Sequence, residues 1–416
     1  MRRYLRATFD SLHSPNFRRY LSGQGMSVIG TWMQKVAQAW LVLELTDSGA
    51  VLGITAALQQ LPTLLLTTWG GLLADRLDKR RVLLVTQSAA AVPAVALGVL
   101  TLTDHVTIWM VMVAALVLGV IESVDRPVRL TYVSEIVDPA RLTNAVALNS
   151  ITQNVGKVVG PAVAGVTIAW LGIGPTFLIN AASFLAMIVG LARIRREQPA
   201  PEPLPRTRGA TWQGFSYVRS RPALLGPLVL MTVSGTLAYN WTVVLPLLAR
   251  QGFGEDARVV GLMFTCMGLG GVVSGLAFAG ALRPTTSRLA VAGLVFSLLM
   301  CTTALAPSLT LAYVSLVALG GSSVLFRAVA NSVLQLRAEP EMRGRVIALL
   351  VLATQGTTTV GGPIIGWFCE VTDPRFGFLL GGIGTAIAAA VVHSWMGERR
   401  LAARAASEPA GAAQRT

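Results

Sequence analysis

The chain has 416 residues, of which 53% are hydrophobic and 13% charged, roughly half the ~25% charged share of an ordinary soluble domain, so most side chains must face something other than water. A net charge of +14 would suggest nucleic acid in a soluble protein, but the arginines here fall in short clusters between apolar runs and form no continuous basic face. Cys266, Cys301 and Cys369 lie inside apolar segments at no metal-ligand or disulfide spacing, and neither a metal site nor a cofactor motif is legible.

Met1 to Asp10 carries Arg2, Arg3 and Arg6 with no small-residue cleavage site behind a short apolar core, so the first membrane helix is expected to target the chain itself. A bilayer core of roughly 30 Å needs about 20 mostly apolar helical residues. Stretches of that order are expected near 17–45, 49–73, 82–103, 107–125, 144–170 and 174–193, then 223–249, 258–282, 289–306, 309–330, 344–370 and 375–396. The fold class that follows is all-α integral membrane, with twelve transmembrane helices. If the first end is cytoplasmic, the inner loops hold 29 of the 34 Lys and Arg, and the outer side holds only Arg250, Arg258 and Arg375. Lys35 and Lys157 are left within spans. That asymmetry predicts both termini in the cytoplasm.

The sequence repeats itself in part about 201 residues apart. PARLTNAVAL from Pro139 aligns with PEMRGRVIAL from Pro340, and at the same offset Gly119 meets Gly320 and Arg126 meets Arg327. With one extra residue in the second copy, Gln153 then meets Gln355 and Gly160-Pro161 meets Gly362-Pro363. Two six-helix bundles are expected, over 1–193 and 223–397, with a cytoplasmic linker over 194–222 and a cytoplasmic tail over 398–416. The linker is rich in Arg and Pro, a composition that cannot bury a core. It ends in a short amphipathic piece with Trp212, Phe215 and Val218 at spacing three, suited to a membrane surface. Two parallel six-helix repeats point to transport, because such halves can rock about a site held between them.

GGLLADRLDKRR, from Gly70 to Arg81, resembles the G-x-x-x-D-R-x-G-R-R motif of the major facilitator superfamily, with Gly71, Asp75, Arg76, Lys79 and Arg80 in register and Asp78 where that pattern has Gly. The resemblance covers nearly the whole chain. It implies a conformational switch in which Asp75 sits against the start of the eleventh helix near Gly344, while Arg76 meets Asp125, beside Arg126. Gly156, Gly160, Pro161 and Gly165 on the fifth helix are similar to the motif that marks antiporters in that superfamily, although close helix packing accounts for the same residues. AWLVLELT (Ala39 to Thr46), DRP (Asp125 to Pro127), NAASFL (Asn180 to Leu185) and RGRV (Arg343 to Val346) most resemble the branch containing enterobactin exporters and macrolide efflux proteins. Ala115 stands near the place where many proton-linked drug antiporters have Arg.

Gln24, Ser27, Thr31, Gln34 and Gln38 are spaced by three, four, three and four, so they share one face of the first helix. Asn149, Gln153 and Lys157 make a second stripe on the fifth, and Gln355 belongs to a third on the eleventh. With Lys35 and Asn240 these residues are the expected lining of a substrate cavity. The third, sixth, ninth and twelfth spans have no acid or base inside and are expected to shield it. A charge within a span costs at least about 2.5–3.5 kcal/mol and is usually functional. Lys35 and Lys157 therefore suggest an anionic cargo, unless they snorkel or pair with Glu44 or Glu122.

No phosphate-binding loop is present, since the Gly156-Lys157 pair is followed by Val158 inside a span. Proton antiport needs a carboxylate that can change protonation in a partly desolvated place. The candidates are Glu122, Asp125 and Glu44, although Glu122 could equally pair with Arg126 one turn on. His13, His105 and His393 are scattered and no nucleophile–base constellation occurs, so an enzyme is not expected. A channel would need a charge ring or carbonyl filter. The expected protein is a secondary active transporter in a bacterial inner membrane, a monomer without cofactor, exporting a drug, siderophore or secondary metabolite by proton antiport. An importer of the same fold is the alternative.

Overall fold

In hydrocarbon every backbone N–H and C=O must be satisfied within the chain, which favours helix wherever these apolar stretches cross. The structure, a computed structural model, describes the backbone of residues 10–194, 210–278 and 284–407, with the side chains at 67–75, 210–212 and 397–407 outside the description. Every regular element among the described residues is helical.

The first half runs α1 (Pro15–Thr46), α2 (Gly49–Arg76), α3 (Lys79–Leu102), α4 (Ile108–Tyr132), α5 (Leu142–Leu171) and α6 (Ile173–Ala192). Ser14 starts α1 by accepting a hydrogen bond from the Phe17 N–H at 3.3 Å, with Pro15 in the first turn. Asp78 does the same for α3, accepting from the Arg81 N–H at 3.2 Å. Its φ of −60° needs no glycine, which explains why Asp is accepted at this turn. Gly172, at φ +91°, turns α5 into α6.

After the undescribed stretch 195–209, which holds most of the expected linker, comes α7 (Ala210–Arg219), followed by α8 (Pro222–Leu237), α9 (Trp241–Leu247), α10 (Ala257–Ala277), α11 (Thr286–Ala304), α12 (Leu309–Arg337), α13 (Arg343–Val351), α14 (Thr357–Val371) and α15 (Pro374–Ser407). The tail beyond 407 is not described. Among the described residues, eleven stretches are long and apolar enough to cross a membrane. The twelfth crossing is α1, whose 32 residues suffice in length and whose polar face lowers its hydropathy.

Three details depart from the expected spans. The seventh span is broken between α8 and α9 at Ala238–Asn240 and ends in a π-helical turn, Leu248–Gly252. The eleventh contains another π turn, Leu352–Gly356, between α13 and α14. Finally, α4 and α12 run on to Tyr132 and Arg337, so Arg126 and Arg327 belong to helices and not to inner loops. The amphipathic piece is α7, with Phe215 exposed and Val218 buried. It rests on α13 and α8, and the Trp212 side chain is outside the description.

Within the first half α1 packs on α5 and α6, α2 on α4, and α3 on α4 and α6. In the second half α10 packs on α12, α11 on α12 and α15, and α8 on α14 and α15. Two helix pairs make most of the contact between the halves, α2 with α14 and α5 with α10. Both crossings are glycine-lined. A Cβ on Gly49 would meet the Gly366 carbonyl, one on Gly53 the Gly362 carbonyl, and one on Gly261 the Pro161 carbonyl. Small residues at these points let backbones touch.

Candidate functional site

The two halves are fastened by polar contacts at the end where α1 passes into α2. Glu370 at the end of α14 accepts from the Ser48 hydroxyl at 2.6 Å and from the Ala50 N–H at 2.9 Å, so it caps the start of α2, where a helix favours negative charge. From the π turn, Arg250 bonds Asp47 at 2.8 Å and Gln251 bonds the Asp47 carbonyl at 3.2 Å. At the opposite end the ion pairs among the described residues lie within a half. Lys79 pairs with Glu135 and Arg141 with Asp10, while Arg221 pairs with Glu339.

Between these ends a buried network ties α1, α3 and α4 together. Thr86 Oγ and Gln87 Nε2 donate to Asp125 Oδ1 at 2.7 and 2.8 Å, and Arg129 donates to Oδ2 through Nε at 2.8 Å and through its terminal nitrogen at 2.5 Å. Ser27 of α1 donates to Gln87 at 3.1 Å. The carboxylate therefore lies with Arg129, not with Arg76, which is exposed. Arg80 donates to the carbonyls of Leu191 and Ala192, both at 2.7 Å, anchoring α3 to the end of α6 within the same half. The backbone of Gly71 and Asp75 lies in α2, and the Asp75 side chain lies outside the description.

The expected cavity residues separate into two groups. Gln24, Gln34, Gln38, Asn149 and Asn240, expected along the cavity, are buried in this arrangement of the helices. The spacing put the α1 residues on one face correctly, but much of that face is covered by α5 and α6. Asn180 of α6 bonds Gln34, and Asn240 donates to the Thr236 carbonyl at 2.7 Å across the helix break. Thus α3 and α6, expected only to shield, supply Thr86, Gln87 and Asn180 as polar partners.

The second group is accessible and charged. Thr31, Lys35, Gln153 and Gln355 are half-buried, while Arg126, Lys157 and Arg327 are exposed. Lys35 pairs with Glu122 at 3.4 Å, its ammonium 5.2 Å from the centre of the Trp32 ring. That resolves the open alternatives, because Glu122 faces α1 and not Arg126. Arg126 of α4 donates to Gln355 in the π turn of the other half at 2.9 Å. The Arg327 guanidinium lies 5.1 Å from the centre of the Tyr239 ring, which the helix break presents to it. Lys157 of α5 is exposed, and among the described residues no carboxylate pairs with it, with Arg126 or with Arg327. Sequence reading missed Arg327 as a site residue; its alignment with Arg126 in the repeat was the available signal.

Of the remaining candidates, Glu44 is exposed near the end of α1, held by Trp40 Nε1 at 2.8 Å, away from this cluster. A Cβ on Gly156 or Gly160 would strike α1 at Val28 or Trp32, and one on Gly165 would meet Arg258 of α10. Pro161 is buried at the α10 crossing. These four residues therefore sit at helix contacts.

Twelve helices meeting along α2–α14 and α5–α10 around a charged interior define a membrane transporter of the major facilitator type. The chain belongs to the transmembrane secretion effector family, whose model matches residues 6–409. It is 26% identical over 269 residues to the staphyloferrin A transporter of Staphylococcus aureus, spanning 64% of this chain and 67% of that one. It is 23% identical over 401 residues to the enterobactin exporter EntS of Citrobacter koseri, spanning 96% of each. A bacterial homologue of the iron transporter ferroportin, in an inward-facing state, matches with a TM-score of 0.70 at 17% identity over 91% of this chain and 98% of that one. That last likeness speaks for the fold alone.

Proposed function

We propose that this protein exports a small anionic molecule from a bacterial cytoplasm across the inner membrane by alternating access, in exchange for protons. Bundles 1–193 and 223–397 are the moving bodies, and since one chain holds both, a monomer suffices. The observation that carries the reading is the joining of the halves at the Asp47 end, together with Arg126 and Arg327, one on each half, which no described carboxylate pairs with. With both termini cytoplasmic, the joined end is the outer one and the chain is in an inward-facing state, ready to take cargo from inside. Two relatives carry siderophore names, and one of them is called an exporter. A siderophore is accordingly the first cargo to test.

Glu122 is the carboxylate proposed for coupling. Asp125 is fully engaged by four donors, whereas Glu122 makes one ion pair, with Lys35. Protonating Glu122 would free Lys35 for an anion, linking proton and cargo through one side chain. Everted vesicles from cells making the protein should accumulate labelled enterobactin when the lumen is acidified, and a protonophore should abolish the accumulation. Glu122→Gln should leave downhill movement intact and remove the response to the proton gradient. Accumulation in right-side-out vesicles instead would establish import, and a full gradient response in Glu122→Gln would remove Glu122 from coupling.

A further inference from the structure

Eighteen residues separate the start of α4 at Ile108 from Arg126, and eighteen separate the start of α12 at Leu309 from Arg327. At 1.5 Å per residue both lie about 27 Å along their helices, at matching levels in the two halves, and the sequence repeat pairs them. Elsewhere in this interior each cation has a carboxylate, Glu122 for Lys35 and Asp125 for Arg129. Among the described residues none pairs with Arg126, Lys157 or Arg327. Three accessible cations that no described carboxylate neutralises leave a positive potential facing this space, which favours an anion.

We propose that Arg126 and Arg327, together with Lys157, form a binding site for a substrate bearing at least two anionic groups, one gripped from each half. Both guanidinium groups are held ready. The Arg327 guanidinium lies 5.1 Å from the centre of the Tyr239 ring, a cation–π contact that leaves its N–H groups for an anion. Gln355 takes one N–H of Arg126 and leaves the others. A planar fork fits the paired oxygens of a carboxylate or a catecholate, and the lysine adds a compact charge that tolerates either. An anion that takes the N–H now given to Gln355 also releases a contact between the halves, so filling the site favours their rearrangement. The inference rests on the transporter reading and adds to it the charge of the cargo and the residues that hold it.

Calorimetric titration of the purified full chain with citrate, a trianion at neutral pH, tests the site without any gradient or direction of transport. Acetate at matched ionic strength and the trication spermidine are the comparisons. Citrate should bind, acetate and spermidine should not, and Arg126→Gln and Arg327→Gln should each weaken citrate by about tenfold or more. Arg126→Lys and Arg327→Lys keep the charge and should lose less, which separates a binding loss from a folding defect. Citrate binding no tighter than acetate, spermidine binding tighter than citrate, or unchanged citrate affinity in both Gln variants would overturn the proposal. Citrate binding without vesicle transport would sink the export reading and leave the site standing. Unimpaired enterobactin export by the double Gln variant would do the reverse.

Discussion

Four hydrogen bonds end on the two oxygens of Asp125, which uses the acceptor capacity of a carboxylate and leaves none for a passing proton. The residue holds Arg129 in place, and its loss would strand a buried guanidinium. Asp125→Asn is expected to cost about 3–5 kcal/mol of stability, read as a lower unfolding temperature of the purified protein, and Arg129→Gln in the same chain should restore part of it. A single variant as stable as the parent would show that Arg129 finds another counter-ion. The pairing was legible in the sequence, since the two residues are four apart on one helix, yet the family motif directed Asp125 towards Arg76. Lys35 with Glu122 was one of several open pairings, and spacing cannot choose among them because the partners lie on different helices. Arg126 and Arg327 were hidden for another reason. Hydropathy ends a span where polar residues begin, whereas these two helices continue into them.

At the scale of elements, most boundaries followed from apolar length alone, and α1 shows the limit of that signal. Its polar face keeps it below the hydropathy of the other eleven crossings among the described residues, yet the same face, read by its period, was the signal for a cavity-lining helix. The glycines were less legible. Gly49 and Gly53 carry no motif in the sequence, but they meet Gly366 and Gly362 backbone to backbone and close one end of the molecule. Gly53→Val would drive a side chain into the Gly362 carbonyl, an overlap costing about 1–3 kcal/mol in the closed arrangement. The expected outcome is faster labelling of a cysteine placed at Ser48 by an impermeant maleimide added from outside. Unchanged labelling would mean that the crossing does not govern closure. Asp78 is the converse case, because it stands where the family pattern has Gly and serves as a helix cap.

The whole molecule is organised by two asymmetries. The first is charge, with 27 of 34 basic residues on one side once Arg126 and Arg327 are removed from the 29 that the sequence assigned there. That orientation predicts that cysteines placed in 194–210 are labelled only from the cytoplasm and one at Asp104 only from outside; the opposite pattern would invert every statement about direction made above. The second asymmetry lies in the repeat. Its offset is 201 at Leu148 and Leu349 and 202 at Gln153 and Gln355, so the second copy has gained one residue between Leu349 and Gln355. The π turn Leu352–Gly356 sits there. A π turn is an α-helix accommodating a single insertion, and one residue corresponds to about 100° of rotation at 3.6 residues per turn. The counterpart helix α5 runs through uninterrupted. The duplicate halves are therefore mechanically unequal: one helix of the matched pair is a plain rod, while the other carries a stored twist beside the residue that reaches across to Arg126. If that surplus winding travels or is let out as the molecule changes state, the second half does the turning and the first provides the frame against which it turns.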